Sequence, residues 1–126
     1  MLDIEKQVTY WRESSFRAFR SVPVLQQEGF WSEALFWSHL AVENLLKAHV
    51  VKATRDTPPY IHKLLRLGEL AEIDLSADQL QLCEELSKYQ RLARYPDEAI
   101  QEPDAELARS LVHRAKEFHA WLLKRL

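Results

Sequence analysis

The 126-residue chain is 47% hydrophobic and 29% charged and has a formal net charge of −2. This balance is typical of one globular domain, and it gives no overall electrostatic attraction to nucleic acid or membranes. Its single cysteine, Cys83, cannot form an intrachain disulfide, and the acidic start MLDIEK is unlike a signal peptide, so we predict a cytoplasmic protein. There is no apolar run of ~18 residues, no glycine-rich phosphate loop and no CxxC or HExxH motif. We therefore expect a single domain over residues 1–126 without a membrane span, cofactor or metal site.

The first helix is predicted over residues 3 to about 28. Its apolar residues recur at helical spacing, whereas Pro23 cannot continue the hydrogen-bond ladder. We therefore expect a kink or break around Ser21–Val22, and we expect the helix to end at Gly29. The apolar face comprises Ile4, Val8, Trp11, Ala18, Val22 and Leu25.

The stretch Trp31–Thr54 is predicted to be the central helix, because it contains no glycine or proline and is apolar nearly all round. One ridge within it is polar and carries His39, Glu43 and Lys47 at intervals of four residues. A further apolar group on this helix predicts an interface, and hence a homodimer, because monomers seldom expose such patches. That group is Phe36, Trp37, Leu40 and Val51.

Three more helices are predicted after the central one. Thr57 as N-cap with Pro58 at the first helical position predicts a helix over about 58–71. Ser76 and Gln79 form a capping box for a helix that runs to about Leu92, before Pro96. Pro103 and Asp104 open the last helix, and no segment alternates with period two. The sequence thus predicts an all-α, antiparallel up-and-down bundle of four to five helices.

Three pieces of the chain, in this order and spacing, resemble the HEPN domain family (higher eukaryotes and prokaryotes nucleotide-binding). They are FWSHLAVENLLKA at 36–48, PYIHKLLRL at 59–67 and ARYPD at 93–97. The resemblance covers essentially the whole chain and is to the small single-domain prokaryotic members. It implies a helical bundle, commonly dimeric, that pairs with a minimal nucleotidyltransferase and is associated with nucleotides or RNA, as in toxin–antitoxin systems.

The chain departs from the ribonuclease motif of this family, Arg-x(4–6)-His, in which histidine moves a proton and arginine supports phosphate charge. Neither Arg91 nor Arg94 is followed by histidine at that spacing. Two pairs elsewhere, Arg55 to His62 and Arg114 to His119, fit the spacing, but chance gives about as many. Whether the chain is an enzyme is therefore left open.

A candidate ligand site combines the polar ridge with the turn after the fourth predicted helix. Arg94 is suited to gripping a phosphate and Tyr95 to stacking on a base. An alternative to a ligand-binding role for Glu43 and Lys47 is an exposed ion pair on one helix. The alternative for His62 is a neutral structural histidine near the start of the helix predicted over about 58–71, where the helix dipole opposes a proton. The candidate ligand-binding residues are Glu43, Lys47, His62, Arg94, Tyr95 and Asp97.

Three functions follow from these patterns and the resemblance. We predict a nucleotide- or RNA-associated binding module that acts with a separate minimal nucleotidyltransferase. The alternatives are a metal-independent ribonuclease of the HEPN toxin type and a dimerising bundle without a ligand.

Overall fold

Six helices occur in the computed structural model, which describes residues 1–95 and 100–126. They are α1 (Ile4–Arg20), α2 (Val22–Gln27), α3 (Trp31–Thr54), α4 (Leu64–Leu70), α5 (Ala77–Arg94) and α6 (Ala105–Lys124). The described residues contain no strand. The predicted all-α bundle is confirmed, with the first predicted helix divided into α1 and α2.

The central helix α3 packs against each of the other five helices. Every residue from Ala41 to Val51 is buried, because neighbours cover this helix on all sides over about three turns. Large side chains such as Leu35, Leu45 and Leu46 have no exposed surface. The predicted central position of this segment is therefore correct, but Val51 belongs to the core of the chain and is not available for an interface.

Local signals place most of the helix ends correctly. The break between α1 and α2 falls at Ser21, and Gly29 adopts a φ of +75° that favours glycine. The Ser76–Gln79 capping box forms in both directions. Asp104 accepts a hydrogen bond from the backbone N–H of Leu107 and starts α6.

The helix predicted over about 58–71 is wrong at its start, since α4 begins only at Leu64. Each residue before a proline is pushed out of the helical region, so Pro59 prevents Pro58 from beginning a helix. Residues 58–63 instead form a non-helical segment across the surface of the bundle. This segment, which we call the α3–α4 linker, carries His62.

None of the helices in the described parts of the chain is both long and apolar enough to cross a membrane.

Candidate functional site

The polar ridge of α3 is buried inside the bundle. His39, Glu43 and Lys47 expose only 1%, 2% and 6% of their surface. Their spacing of four residues places them on one face of the helix, one turn apart. The exposed ion pair considered for Glu43 and Lys47 is therefore excluded, and the chain encloses charged groups that a bundle core does not require.

Glu43 is the centre of this cluster. Its Oε2 atom lies 3.1 Å from Lys47 Nζ, and both carboxylate oxygens lie 3.2 Å from Nδ1 of His62. Because a carboxylate only accepts, the Lys47 ammonium and an N–H on His62 Nδ1 donate to it. Two elements, α3 and the α3–α4 linker, are thus tied together by one buried carboxylate. We call Glu43, Lys47 and His62 the Glu43 cluster.

His62 connects the buried carboxylate to the surface. Its side chain is 44% exposed, and it lies in the linker before α4, not within a helix as predicted. With Nδ1 donating to Glu43, Nε2 of the neutral ring is an acceptor, and it becomes a second donor when the ring is protonated. One ring nitrogen, Nε2, is therefore not engaged by the Glu43 carboxylate.

Lys47 packs against α1 as well as Glu43. Its ammonium lies 5.2 Å from the centre of the Trp11 ring, which adds a cation–π interaction. An ammonium has three N–H donors, and Glu43 is its hydrogen-bond acceptor among the described residues. Only 7% of the lysine side chain is exposed.

His39 occupies the end of the ridge and is neutral. Burial lowers its pKa from 6.5 to about 3, with further lowering contributions from the charges of His62, Arg94 and Lys47. Its Nδ1 atom lies 3.7 Å from Glu43 Oε1, beyond hydrogen-bond distance. Neither ring nitrogen has a hydrogen-bond partner among the described residues.

Arg94 is the last residue of α5, and its charge acts on His39. The side chain of Arg94 is exposed. Tyr95 caps α5 in an extended conformation, and its backbone N–H donates to the Arg91 carbonyl. Its side chain is 68% exposed. Asp97, the remaining predicted site residue, lies outside the described residues.

Two contributors to this region were not predicted from the sequence. The spacing of Trp11 predicts only that it lies on the apolar face of α1, and it does not indicate that Lys47 lies over its ring. Arg91 lines a groove beside His62. The three-residue spacing of Arg91 and Arg94 at the end of α5 was a usable signal, because it places both on one side of the helix.

A second buried polar pair joins α1 to α6 and is structural. Ser15 Oγ lies 2.9 Å from Nε2 of His119, and the hydroxyl donates to the Arg12 carbonyl at 2.6 Å. The serine proton is therefore directed at the backbone and not at the imidazole, so His119 Nε2–H donates to the oxygen. This geometry does not activate a serine nucleophile.

Comparisons with known proteins agree with this architecture. The family described as "HEPN domain" matches residues 8–126. The crystal structure of TT1696 from Thermus thermophilus is similar, with a TM-score of 0.76 and 24% sequence identity. The alignment covers 95% of this chain and 98% of that chain, and it shows a shared fold. A search of curated proteins finds no match.

Proposed function

Because the chain belongs to the HEPN domain family, we propose that it is a nucleotide- or RNA-associated binding module. In this proposal it acts with a separate minimal nucleotidyltransferase subunit, in a toxin–antitoxin-like context. The ligand site consists of the Glu43 cluster together with Arg94 and Tyr95.

The burial of Glu43 and Lys47 beside the partly exposed His62 is the observation that carries this proposal. Removing charged groups from water is costly, and a buried ion pair often adds little net stability. Perturbed and buried charges beside an opening are therefore candidates for function. Here Glu43 fixes the positions of Lys47 and His62. The other N–H groups of the Lys47 ammonium, and the Nε2–H of His62 when its ring is protonated, are the donors for a phosphate group. Arg94 can add paired, charge-assisted hydrogen bonds.

Ligand binding can be tested by thermal unfolding in the presence of nucleoside mono-, di- and triphosphates. A ligand at a hundred times its Kd adds about 2.7 kcal/mol to the free energy of unfolding. We expect such a shift for the wild type and its loss in Arg94→Gln. Lys116→Gln, which removes an exposed charge on α6, is the matched control. A stabilisation that Arg94→Gln leaves unchanged would exclude this site.

The metal-independent ribonuclease is a second candidate, which the His62–Glu43 contact favours. A histidine held by a carboxylate is a suitable group for proton transfer. The Arg-x(4–6)-His motif is nevertheless missing at the family position, so the binding module is preferred. Cleavage of bulk RNA by the purified wild type, lost in Arg94→Ala, would reverse this preference.

A homodimer remains part of the proposal. On α3, Trp37 is exposed and packs edge-on against Phe36, which is half-buried together with Leu40. Sedimentation equilibrium should give twice the chain mass for the wild type and the monomer mass for Trp37→Lys. A wild-type dimer that binds no nucleotide, RNA or protein would instead identify the ligand-free structural bundle.

The nucleotidyltransferase partner requires its own test. A purified minimal nucleotidyltransferase encoded beside this chain should co-elute with it in gel filtration. Separate elution of the two purified proteins at micromolar concentration would remove this part of the proposal without affecting nucleotide binding.

A further inference from the structure

The α3–α4 linker is held to the bundle by few polar contacts. Its residues 58–62 form no backbone–backbone hydrogen bond among the described residues. Within the same parts of the chain, its side chains form hydrogen bonds only through His62, which contacts both carboxylate oxygens of Glu43 at 3.2 Å. Pro58 is buried, whereas Tyr60 is fully exposed. A segment with so few contacts can open locally while the helices stay folded.

Two open grooves adjoin the linker. One, of about 300 Å³, lies between its last two residues and α5. The other, of about 600 Å³, lies between residues 58–61 and the last turns of α3 at Val50 and Thr54. Side chains that border unfilled space have fewer partner atoms on that side. The linker therefore has fewer packing contacts to lose when it moves than a segment embedded in the core.

The linker covers one face of α3. It shares a groove with Val50 and Thr54 and then contacts Glu43, so it runs back along α3 toward the start of that helix. Lys47 lies four residues after Glu43 and three before Val50, spacings that place all three on the same face. The side chain of Lys47, only 7% exposed, thus lies on the face along which the linker passes.

Opening of the linker returns buried charges to water. Glu43 and Lys47 are both buried in the closed arrangement, and the burial of charged groups is costly. Their rehydration therefore offsets part of the contacts that are lost. His39 gains as well, because neither of its ring nitrogens has a hydrogen-bond partner among the described residues. Trp11 on α1 remains beside the Lys47 ammonium when the linker moves.

We propose that the α3–α4 linker is a strap that opens away from α3 and admits the anionic group of a ligand to Lys47, with the His62–Glu43 contact as its latch. This inference rests on the proposed function for the kind of ligand, and it deepens that function by explaining how a ligand reaches a buried ammonium. In the closed strap Lys47 donates to Glu43. In the open strap its other N–H groups become accessible.

Acetylation of Lys47 by the anionic N-hydroxysulfosuccinimide ester of acetate measures strap opening without a nucleotide. The readout is mass spectrometry of the peptide that carries Lys47, with the exposed Lys116 as the reference in the same sample. We expect slow labelling of the wild type at a rate that low urea leaves unchanged, because a local opening exposes little surface. His62→Ala should raise this rate at least about tenfold, since the latch is a hydrogen bond to a carboxylate.

Pro59→Gly tests the mobility of the strap without changing the latch. Glycine increases the number of conformations of the open strap, so labelling of Lys47 should rise about two- to fivefold. The matched control is His113→Ala, which breaks an exposed histidine–glutamate pair on α6 and should leave the rate unchanged. A rise in His62→Ala that Pro59→Gly does not share reflects the lost cover of the imidazole alone and overturns the inference. Labelling that increases with urea in parallel with global unfolding overturns it too.

The outcomes separate this inference from the function on which it rests. Arg94-dependent stabilisation by a nucleotide, with Lys47 labelled only through global unfolding, overturns the strap and keeps the binding module. Labelling through a local opening, without stabilisation by any nucleotide, supports the strap and removes the proposed function.

Discussion

Glu43 and Lys47 show how much a single buried residue depends on its partner. Glu43→Gln leaves the ammonium of Lys47 buried beside a neutral amide. Breaking a buried pair in this way destabilises by about 3–5 kcal/mol, which chemical denaturation will measure. The matched control is Glu69→Gln, because the Arg66–Glu69 pair is exposed and contributes at most about 1 kcal/mol. Equal losses in both variants would contradict the buried, coupled state of Glu43.

His119 makes stability dependent on pH. Burial lowers its pKa from 6.5 to about 4, so between these values the unfolded chain binds more protons than the folded chain. Stability is consequently retained above pH 6.5 and falls as the pH drops toward 4, with a slope of up to about 1.4 kcal/mol per pH unit. His119→Gln should flatten the measured slope in this window, whereas the exposed His113→Gln should not. An unchanged slope in His119→Gln would show that this histidine protonates equally in both states.

At the scale of elements, helix ends were predictable where a short side chain satisfies a local backbone group. Ser76 accepts from the Gln79 N–H, and the Gln79 side chain accepts from the Ser76 N–H. Ser76→Ala should therefore cost about 1 kcal/mol in urea unfolding. Ser110→Ala, on the exposed face of α6, should instead stabilise by a few tenths of a kcal/mol, because alanine is the better helix former. If both substitutions changed the free energy of unfolding in the same direction, the result would argue against a stabilising capping box.

The α3–α4 linker shows where local signals were insufficient. Thr57 and Pro58 form a helix-start pattern when taken alone, but Pro59 overrides it by disfavouring helix at Pro58. The linker then brings His62 to Glu43, 19 residues earlier in the chain. Neither the hydrophobic periodicity nor the helix-capping residues of the sequence predict that contact. The spacing of Glu43 and Lys47 likewise predicted a shared face, whereas their burial depends on packing by other helices.

At the scale of the whole molecule, α3 links all the other helices into one unit. We therefore expect a single cooperative unfolding transition, with helix content and tryptophan fluorescence changing together. Leu46→Ala, at a position without exposed surface, should shift both probes to lower denaturant by the same amount. The expected loss is about 2–5 kcal/mol.

The matched control for this cooperativity is Leu80→Ala, because Leu80 lies on α5 with an exposed side chain. Its substitution should cost much less than that of Leu46, since little surface leaves water at this position. Separate transitions for the two probes in Leu46→Ala would mean that α3 does not couple its neighbours. The Glu43 cluster would then lose its rigid support. Glu43 and Lys47 lie on α3, and His62 lies in the linker that leads into α4, a helix that packs against α3. Precise placement of charged groups requires such support from packed elements.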